Sequence, residues 1–259
     1  MTFNPGFDIT PTASPLGFNY GTDVFGPTVE FRTLDAIRAS LADPHCSGPD
    51  PVYAIAMGVG RKADQALIHQ HHLLYGAVTY AAGKLGAEPV RSQGHIHKTS
   101  EYSGWSTPEV YEIWSGKAII LMQEKAKDDP GRCFAVNAVP GDIIIVPPYW
   151  AHATISAAPD EPLTFGAWCV RDYGFIYDGV RAHRGLAWHP FLEEEGWVTW
   201  HHNNRYRHRD LEIKTPRQYE ELGIVNNKRI YTQFTDDPSL FDFVVYPEIA
   251  AEVWNNFIP

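Results

Sequence analysis

A chain of 259 residues, 44% hydrophobic and 20% charged, can bury an adequate core as one large domain or as a core domain with a substantial extension. Its formal net charge of −10 argues against nonspecific binding to nucleic acid or to an anionic membrane, since both need clustered cations to offset phosphate repulsion. Cys46, Cys133 and Cys169 are widely spaced without a CxxC, so neither a zinc ribbon nor a disulfide framework is indicated, and a reducing cytoplasm is expected.

Met1 to Pro15 lacks a basic start followed by an apolar core, and no apolar run approaches ~18 residues, so neither an export signal nor a membrane span is expected. Residues 1–30 are rich in Gly, Pro and Thr without periodicity, and are expected to wrap a surface or supply an edge strand. The spacing of Leu34, Ile37 and Leu41 predicts one short helix, with Thr33 as N-cap and Pro44 beyond its end. From Val52 onward the pattern changes to short apolar runs between turn residues: Val52 to Val59, Leu73 to Ala81, Glu109 to Trp114, Ala118 to Met122, Cys133 to Val136, Asp142 to Val146, Ala153 to Ser156 and Leu163 to Val170. Such a succession predicts an antiparallel β-barrel or sandwich.

The last third differs. Trp188, Trp197, Trp200 and Trp254 are four of the eight tryptophans, too much aromatic surface to leave in water, so the segment is expected to fold and to pack on the barrel or on a second subunit. Within it, Thr215 and Gln218 fit a capping box, Pro216 would occupy the first helical position, and Gly223 would end a helix. The tract His201 to Arg209 is basic, but Asp210 and Glu212 follow at once, so a solvated or interface face is expected.

Four potential metal ligands stand out: His95 and His97 in Gly-His-Ile-His, then Glu109, then His152 after Pro147-Pro148-Tyr149-Trp150-Ala151. Alternate side chains of a strand share a face, so His95 and His97 can grip one ion. Three neutral imidazoles and one carboxylate would leave a divalent ion at net +1 with open positions for substrate oxygens. Mixed N/O ligation suits Fe, Mn, Ni, Zn or Co. His69, His71 and His72 have a tempting spacing but fall in a polar segment and are expected to face solvent, and Gly58-Val59-Gly60 is too short for a phosphate loop.

The framing of these ligands, with Gly116 after Glu109 and Gly141 ahead of Pro147, resembles the two-part signature of the cupin superfamily. The run Gly83 to Glu88, the stretch Ser92 to His97, Glu109-Val110-Tyr111, Leu121-Met122-Gln123 and Val146 to His152 narrow the likeness to the cupin-type glucose-6-phosphate isomerases, over about Tyr53 to Tyr173-Gly174. The spacing of general cupins would select Glu101 as the carboxylate. The isomerase branch selects Glu109, which is preferred because it opens a strand-like run whereas Glu101 sits in a loop-like one.

The resemblance implies an all-β fold, a cupin (double-stranded β-helix, jelly-roll) barrel over 51–178; the residues outside it read as an N-terminal extension with one short helix over 1–50 and a mixed C-terminal extension over 179–259, packed on the barrel or a partner subunit and without likeness to the family. It also implies a cytoplasmic homodimer with one divalent transition metal per subunit, interconverting glucose 6-phosphate and fructose 6-phosphate in glycolysis and gluconeogenesis. Glu109 and Tyr111 are the catalytic candidates, Tyr111 lying on the same strand face as Glu109. The substrate's anion is expected at Tyr53, Ser92, the backbone of Gly94 and Tyr173. A threonine that helps hold the phosphate in relatives falls at Val78, and a histidine two residues before Tyr173 is replaced by Arg171. Arg91 and Arg171 are therefore candidate replacements, since a guanidinium grips an oxyanion bidentately, although arginines on loops are normally solvated. Those departures keep two alternatives open: an isomerase of another C6-anionic hexose such as sulfoquinovose, and a noncatalytic sugar-binding cupin.

Overall fold

The computed structural model describes residues 3–193 and 196–259. Ten strands build two facing sheets: β1 (Glu30–Arg32), β2 (Tyr53–Met57), β3 (Leu73–Tyr80), β4 (Glu109–Ser115), β5 (Ala118–Gln123), β6 (Cys133–Ala138), β7 (Ile143–Val146), β8 (Ala151–Ser156), β9 (Thr164–Val170) and β10 (Leu211–Lys214). The first sheet has the order β7-β4-β9-β3-β2-β1 and the second β8-β5-β6-β10. All pairs are antiparallel except β6 with β10. This is the expected all-β cupin barrel, and every apolar run from Val52 to Val170 contributes a strand to it.

The barrel strands are apolar on both faces because both faces are covered. In β4 the odd positions Tyr111 and Ile113 point between the sheets, where they join Ile120, Met122, Phe134 and Val136 of the opposite sheet. The even positions Val110 and Trp114 point outward and pack with Tyr75, Trp168, Tyr231, Phe234 and Phe241. Those last three come from the C-terminal segment, whose helices Ile230–Asp236, Asp242–Val245 and Ala251–Asn255 cover the outer face of the first sheet. Trp168 Nε1 donates to the Ile230 carbonyl at 3.1 Å, and its ring lies 4.5 Å from that of Phe234. On the second sheet Ile119, Leu121, Ala153 and Ile155 point outward and are covered by Val180, Leu186, Trp188 and Trp200. Each such large side chain stabilises the fold by roughly 1.5–3 kcal/mol when removed from water.

The segments flanking the barrel are woven into it: β1 lies on the edge of the first sheet and β10 on the edge of the second. Residues 9–20 form a hairpin rather than a single edge strand, Ile9–Ala13 pairing with Leu16–Tyr20. The helix after Thr33 forms as predicted over Leu34–Ile37, the Thr33 hydroxyl accepting from Ala36 N, and Leu41 beyond it is fully buried.

The helix predicted after Thr215 does not form. Residues 215–218 are non-helical, and only a single 3-10 turn, Glu220–Leu222, precedes Gly223 at φ +70°. Eight residues separate the end of β10 from Gly223, and Arg217 is drawn away by bonds to the Ile258 carbonyl and to Glu221, so the capping pattern loses to tertiary contacts. Of the four tryptophans of the last third, Trp254 is buried and Trp188 and Trp200 are half-buried, but Trp197 is 69% exposed at the tip of the hairpin Trp188–Leu192/Val198–His202, against the expectation of coverage. Cys46, Cys133 and Cys169 are all buried free thiols, and no helix among the described residues is long and apolar enough to cross a membrane.

Candidate metal centre

His95 and His152 are neighbours across an isolated antiparallel bridge, each donating its backbone N–H to the other's carbonyl at 3.0 Å. The chain enters this bridge through Gly94 at φ +86°, a left-handed conformation that favours glycine. His97 follows in the short strand Ile96–His97, which pairs with Phe175–Ile176. Pro147 and Pro148 end β7, and His152 then occupies the second position of β8, where 152, 154 and 156 face inward because 151, 153 and 155 pack outward. Glu109 opens β4 on the same side as Tyr111.

One ligand atom from each of His95, His97, Glu109 and His152 lies within 4.8 Å of the other three. His97 Nε2 is 3.2 Å and His152 Nε2 3.8 Å from Glu109 Oε2. Glu101 is not part of the group; it is exposed in a turn whose backbone N–H donates to Asp172 at 2.7 Å.

The tautomers follow from the second contacts. His97 Nδ1 meets the Thr107 carbonyl at 2.8 Å and His152 Nδ1 the Trp150 carbonyl at 3.3 Å. A carbonyl only accepts, so each Nδ1 carries the proton and each Nε2 presents a lone pair to the cluster. Nε2 of His95 and of His152 are buried with no hydrogen-bond partner. Burial lowers the proton affinity of His95 and of His152, and for His95 the neighbouring imidazoles His152 and His97 lower it further. Burial pushes the Glu109 carboxyl upward, but His152 and His97 outweigh it and hold the group well below the usual carboxylate range. The Nε2 atoms of His97 and His152 thus converge on a carboxylate to which the Tyr111 hydroxyl gives its hydrogen, at Glu109 Oε2 and 2.7 Å. Unmatched, each buried polar group costs roughly 1–3 kcal/mol; a cation satisfies all of them together. The cluster could therefore hold a metal ion.

The cluster opens onto a cavity in which His95 and Glu109 share the lining with Tyr53, Tyr80, Tyr111 and Tyr177, with Ser92, Gln93 and Thr154, with Arg32, and with the apolar Ile55, Met57, Val78, Phe165 and Phe175. Of the expected anion ligands, Tyr53 and Ser92 line it. Burial pushes the Tyr53 hydroxyl up to about 12, so it remains a donor. Ser92 Oγ accepts from Thr154 N at 3.0 Å and keeps its own hydrogen to give. Gly94 precedes the bridge to His152 and is not among the lining residues. Tyr173 packs against Phe175, its ring 5.6 Å away, outside the cavity lining.

Arg91 is not the solvated surface charge expected of a loop arginine, and it does not line the cavity. It is 3% exposed, bonded to Glu88 Oε1 at 2.7 and 2.9 Å and to the carbonyls of Ser40 and Ser92. Arg171 donates to the Leu73 carbonyl at 2.6 Å and lines a separate depression with Met57 and His69. Of the three outlying histidines only His69 is exposed; His71 contacts Asp242 at 3.3 Å and His72 stacks on Tyr102. In the basic tract, Arg207 and Arg209 pair with Asp129 and are exposed.

Sequence reasoning missed Arg32, Phe175 and Tyr177. The alternation Tyr173, Phe175, Tyr177 is a period-2 aromatic pattern that could have found the last two. Arg32 sits in a three-residue strand too short to carry a signal.

A family model described as "Glucose-6-phosphate isomerase (GPI)" matches residues 33–209, more than half of the chain. The glucose-6-phosphate isomerase of Pyrococcus abyssi is 34% identical over 125 residues, covering 48% of this chain and 60% of the relative. That of Thermococcus litoralis shows the same identity and coverage. The chain thus spans 60% of the length of these relatives. Among solved structures, vicilin from hazelnut (Corylus avellana) aligns with a TM-score of 0.37 at 10% identity, over 51% of this chain and 34% of its own. The chain belongs to the glucose-6-phosphate isomerase (GPI) family.

Proposed function

We propose that this protein is a metal-dependent aldose-ketose isomerase that interconverts glucose 6-phosphate and fructose 6-phosphate. The observation that carries the reading is the convergence of His95, His97, Glu109 and His152 at the wall of a hydroxyl-lined cavity, in a chain of this family. The barrier to the reaction is the weak acidity of a C–H beside a carbonyl. A divalent transition metal held by the four ligands supplies Lewis acidity, worth several kcal/mol against the negative charge that develops on the sugar oxygens.

The chain's own residues do the rest. Two of the three imidazoles, His97 and His152, are anchored through Nδ1 to carbonyls, which fixes the direction of their Nε2 atoms. The contacts of Glu109 to Tyr111, His97 and His152 fall on Oε2. Oε1 is thereby the oxygen left to take a proton from C1 or C2 and return it to the other carbon. Tyr111 holds the carboxylate in place through a charge-assisted bond. Tyr53 and Ser92 are hydroxyl donors for the substrate. Fe, Mn, Ni, Zn and Co all suit the ligand set. We further propose a cytoplasmic homodimer, on the strength of the family resemblance; light scattering would check the dimer.

A second reading changes only the anion. Val78 lines the cavity where relatives carry a phosphate-holding threonine, which favours a hexose with another C6 anion, such as a sulfonate. A coupled assay of fructose 6-phosphate conversion, on protein stripped with chelator and resupplied with single metals, tests the first reading. Restored conversion supports it. Metal uptake without conversion removes glucose 6-phosphate as the substrate and sends the assay to sulfonated hexoses.

A further inference from the structure

We infer that Arg32, on the edge strand β1, is the residue that takes the tetrahedral oxyanion of the substrate, phosphate or sulfonate, in the cavity beside the metal cluster. Among the described residues it is the only cationic side chain other than histidine that lines this cavity. Its guanidinium is incompletely used: Nη1 contacts Glu30 Oε1 at 3.0 Å, and that carboxylate is 62% exposed, whereas Nε is buried with no hydrogen-bond partner. A buried N–H without an acceptor is a feature that a ligand oxygen would satisfy.

The surroundings fit an oxyanion. Tyr53 and Tyr177 lie close enough to couple to the Arg32 charge and both line the same cavity, so a fork of N–H donors is flanked by two phenolic donors. Arg181 adds positive charge behind them: its guanidinium lies 4.8 Å from the centre of the Tyr177 ring and its Nε donates to Gln93, another lining residue. The planar guanidinium can meet two oxygens of a tetrahedral anion at once, a geometry that neither tyrosine nor serine supplies. Arg91 and Arg171 are committed elsewhere, as described above, and Val78 offers no donor. Glu30 opposes an incoming anion, but it is largely solvated and can swing away from the strand edge. Arg32 lies just outside the family match, which begins at residue 33. The sugar in this inference rests on the isomerase reading; the anion site rests on Arg32 itself.

The test uses metal-loaded wild type, Arg32→Met and Arg32→Lys, with metal content and near-UV circular dichroism as controls for the intact site and fold. Calorimetric titration with inorganic phosphate, inorganic sulfate, fructose 6-phosphate and neutral fructose reads the anion site directly. Arg32→Met is expected to weaken phosphate and fructose 6-phosphate by about 10- to 100-fold while leaving fructose unchanged, and Arg32→Lys to recover part of that loss. If the enzyme turns over, KM for fructose 6-phosphate rises with kcat little changed. Comparison of sulfate with phosphate indicates which anion the site prefers. Wild type that binds phosphate through Arg32 but neither binds nor converts fructose 6-phosphate would refute the isomerase reading and support the anion site. Arg32→Met with wild-type affinity for both anions, equal weakening of fructose and fructose 6-phosphate, or a wild type that binds none of the anions would overturn the inference.

Discussion

Glu109 and Glu112 lie three residues apart on one strand, are both largely withdrawn from water, and end in opposite electrostatic states. Glu109 faces inward, where His152 and His97 overcome the effect of burial and hold it ionised. Glu112 faces outward beneath the C-terminal helices; burial pushes it up to about 8, and Arg229, 4.0 Å away, offsets only part of that. Its Oε2 has no hydrogen-bond partner. Depth alone therefore does not decide whether a carboxylate can serve a cation. The imidazoles beside it do, and the alternation of β4 delivers one glutamate to such a cluster and the next to an apolar layer.

Neutralising each carboxylate in turn separates their roles. Glu109→Gln should lower turnover by at least ~100-fold, because it removes the only anionic ligand and the candidate proton acceptor together; steady-state kinetics on metal-resupplied protein measures it. Glu112→Gln should leave turnover and metal content within about twofold of wild type and change stability instead. The folded pKa of about 8 lies above the ordinary 4.5, so between those values the folded state binds the proton and the unfolded state does not. Stability from this group is complete below about 4.5 and is lost as the pH rises toward 8. Denaturant unfolding at pH 5 and pH 8.5 should thus show wild type weakened at the higher pH, and Glu112→Gln more stable than wild type there by on the order of a few kcal/mol.

Tyr111→Phe sharpens the inner half of the comparison. It removes the 2.7 Å bond to Glu109 Oε2 without removing a ligand, so kcat should fall about 10-fold while the bound metal stays near wild type. The smallest effect belongs to Glu101→Gln, at an exposed turn outside the cluster, with activity within about twofold of wild type. A large loss there would mean that the wrong glutamate is placed on the metal.

The barrel strands were legible because each is a short β-branched or aromatic run between turn residues, and the ligand group was legible because its residues recur in family spacing. What escaped has physical causes. The β1 strand, Glu30–Arg32, is too short for alternation to register, so Arg32 stayed hidden while Arg91 drew attention, although Arg91 is locked to Glu88. The hairpin of 188–202 lacks the Asn-Gly type of turn signal that marks a tight connection. The capping pattern at Thr215 is a local preference worth about 1 kcal/mol, and it yields to Arg217 reaching Glu221 and the Ile258 carbonyl. Cover over both sheets also erases the polar face that would have told inside from outside, which is why Glu109 and Glu112 look alike in sequence.

Whether the inner glutamate of β4 holds the ion is decided by metal analysis of wild type, Glu112→Gln and Glu109→Gln, each stripped with chelator, dialysed against a single divalent transition metal and assayed for metal per chain by mass spectrometry. One ion per chain is expected in wild type and in Glu112→Gln, with marked loss in Glu109→Gln. Retention of a full ion by Glu109→Gln, or loss of it in Glu112→Gln, would contradict the assignment of the ion to the inner face of β4.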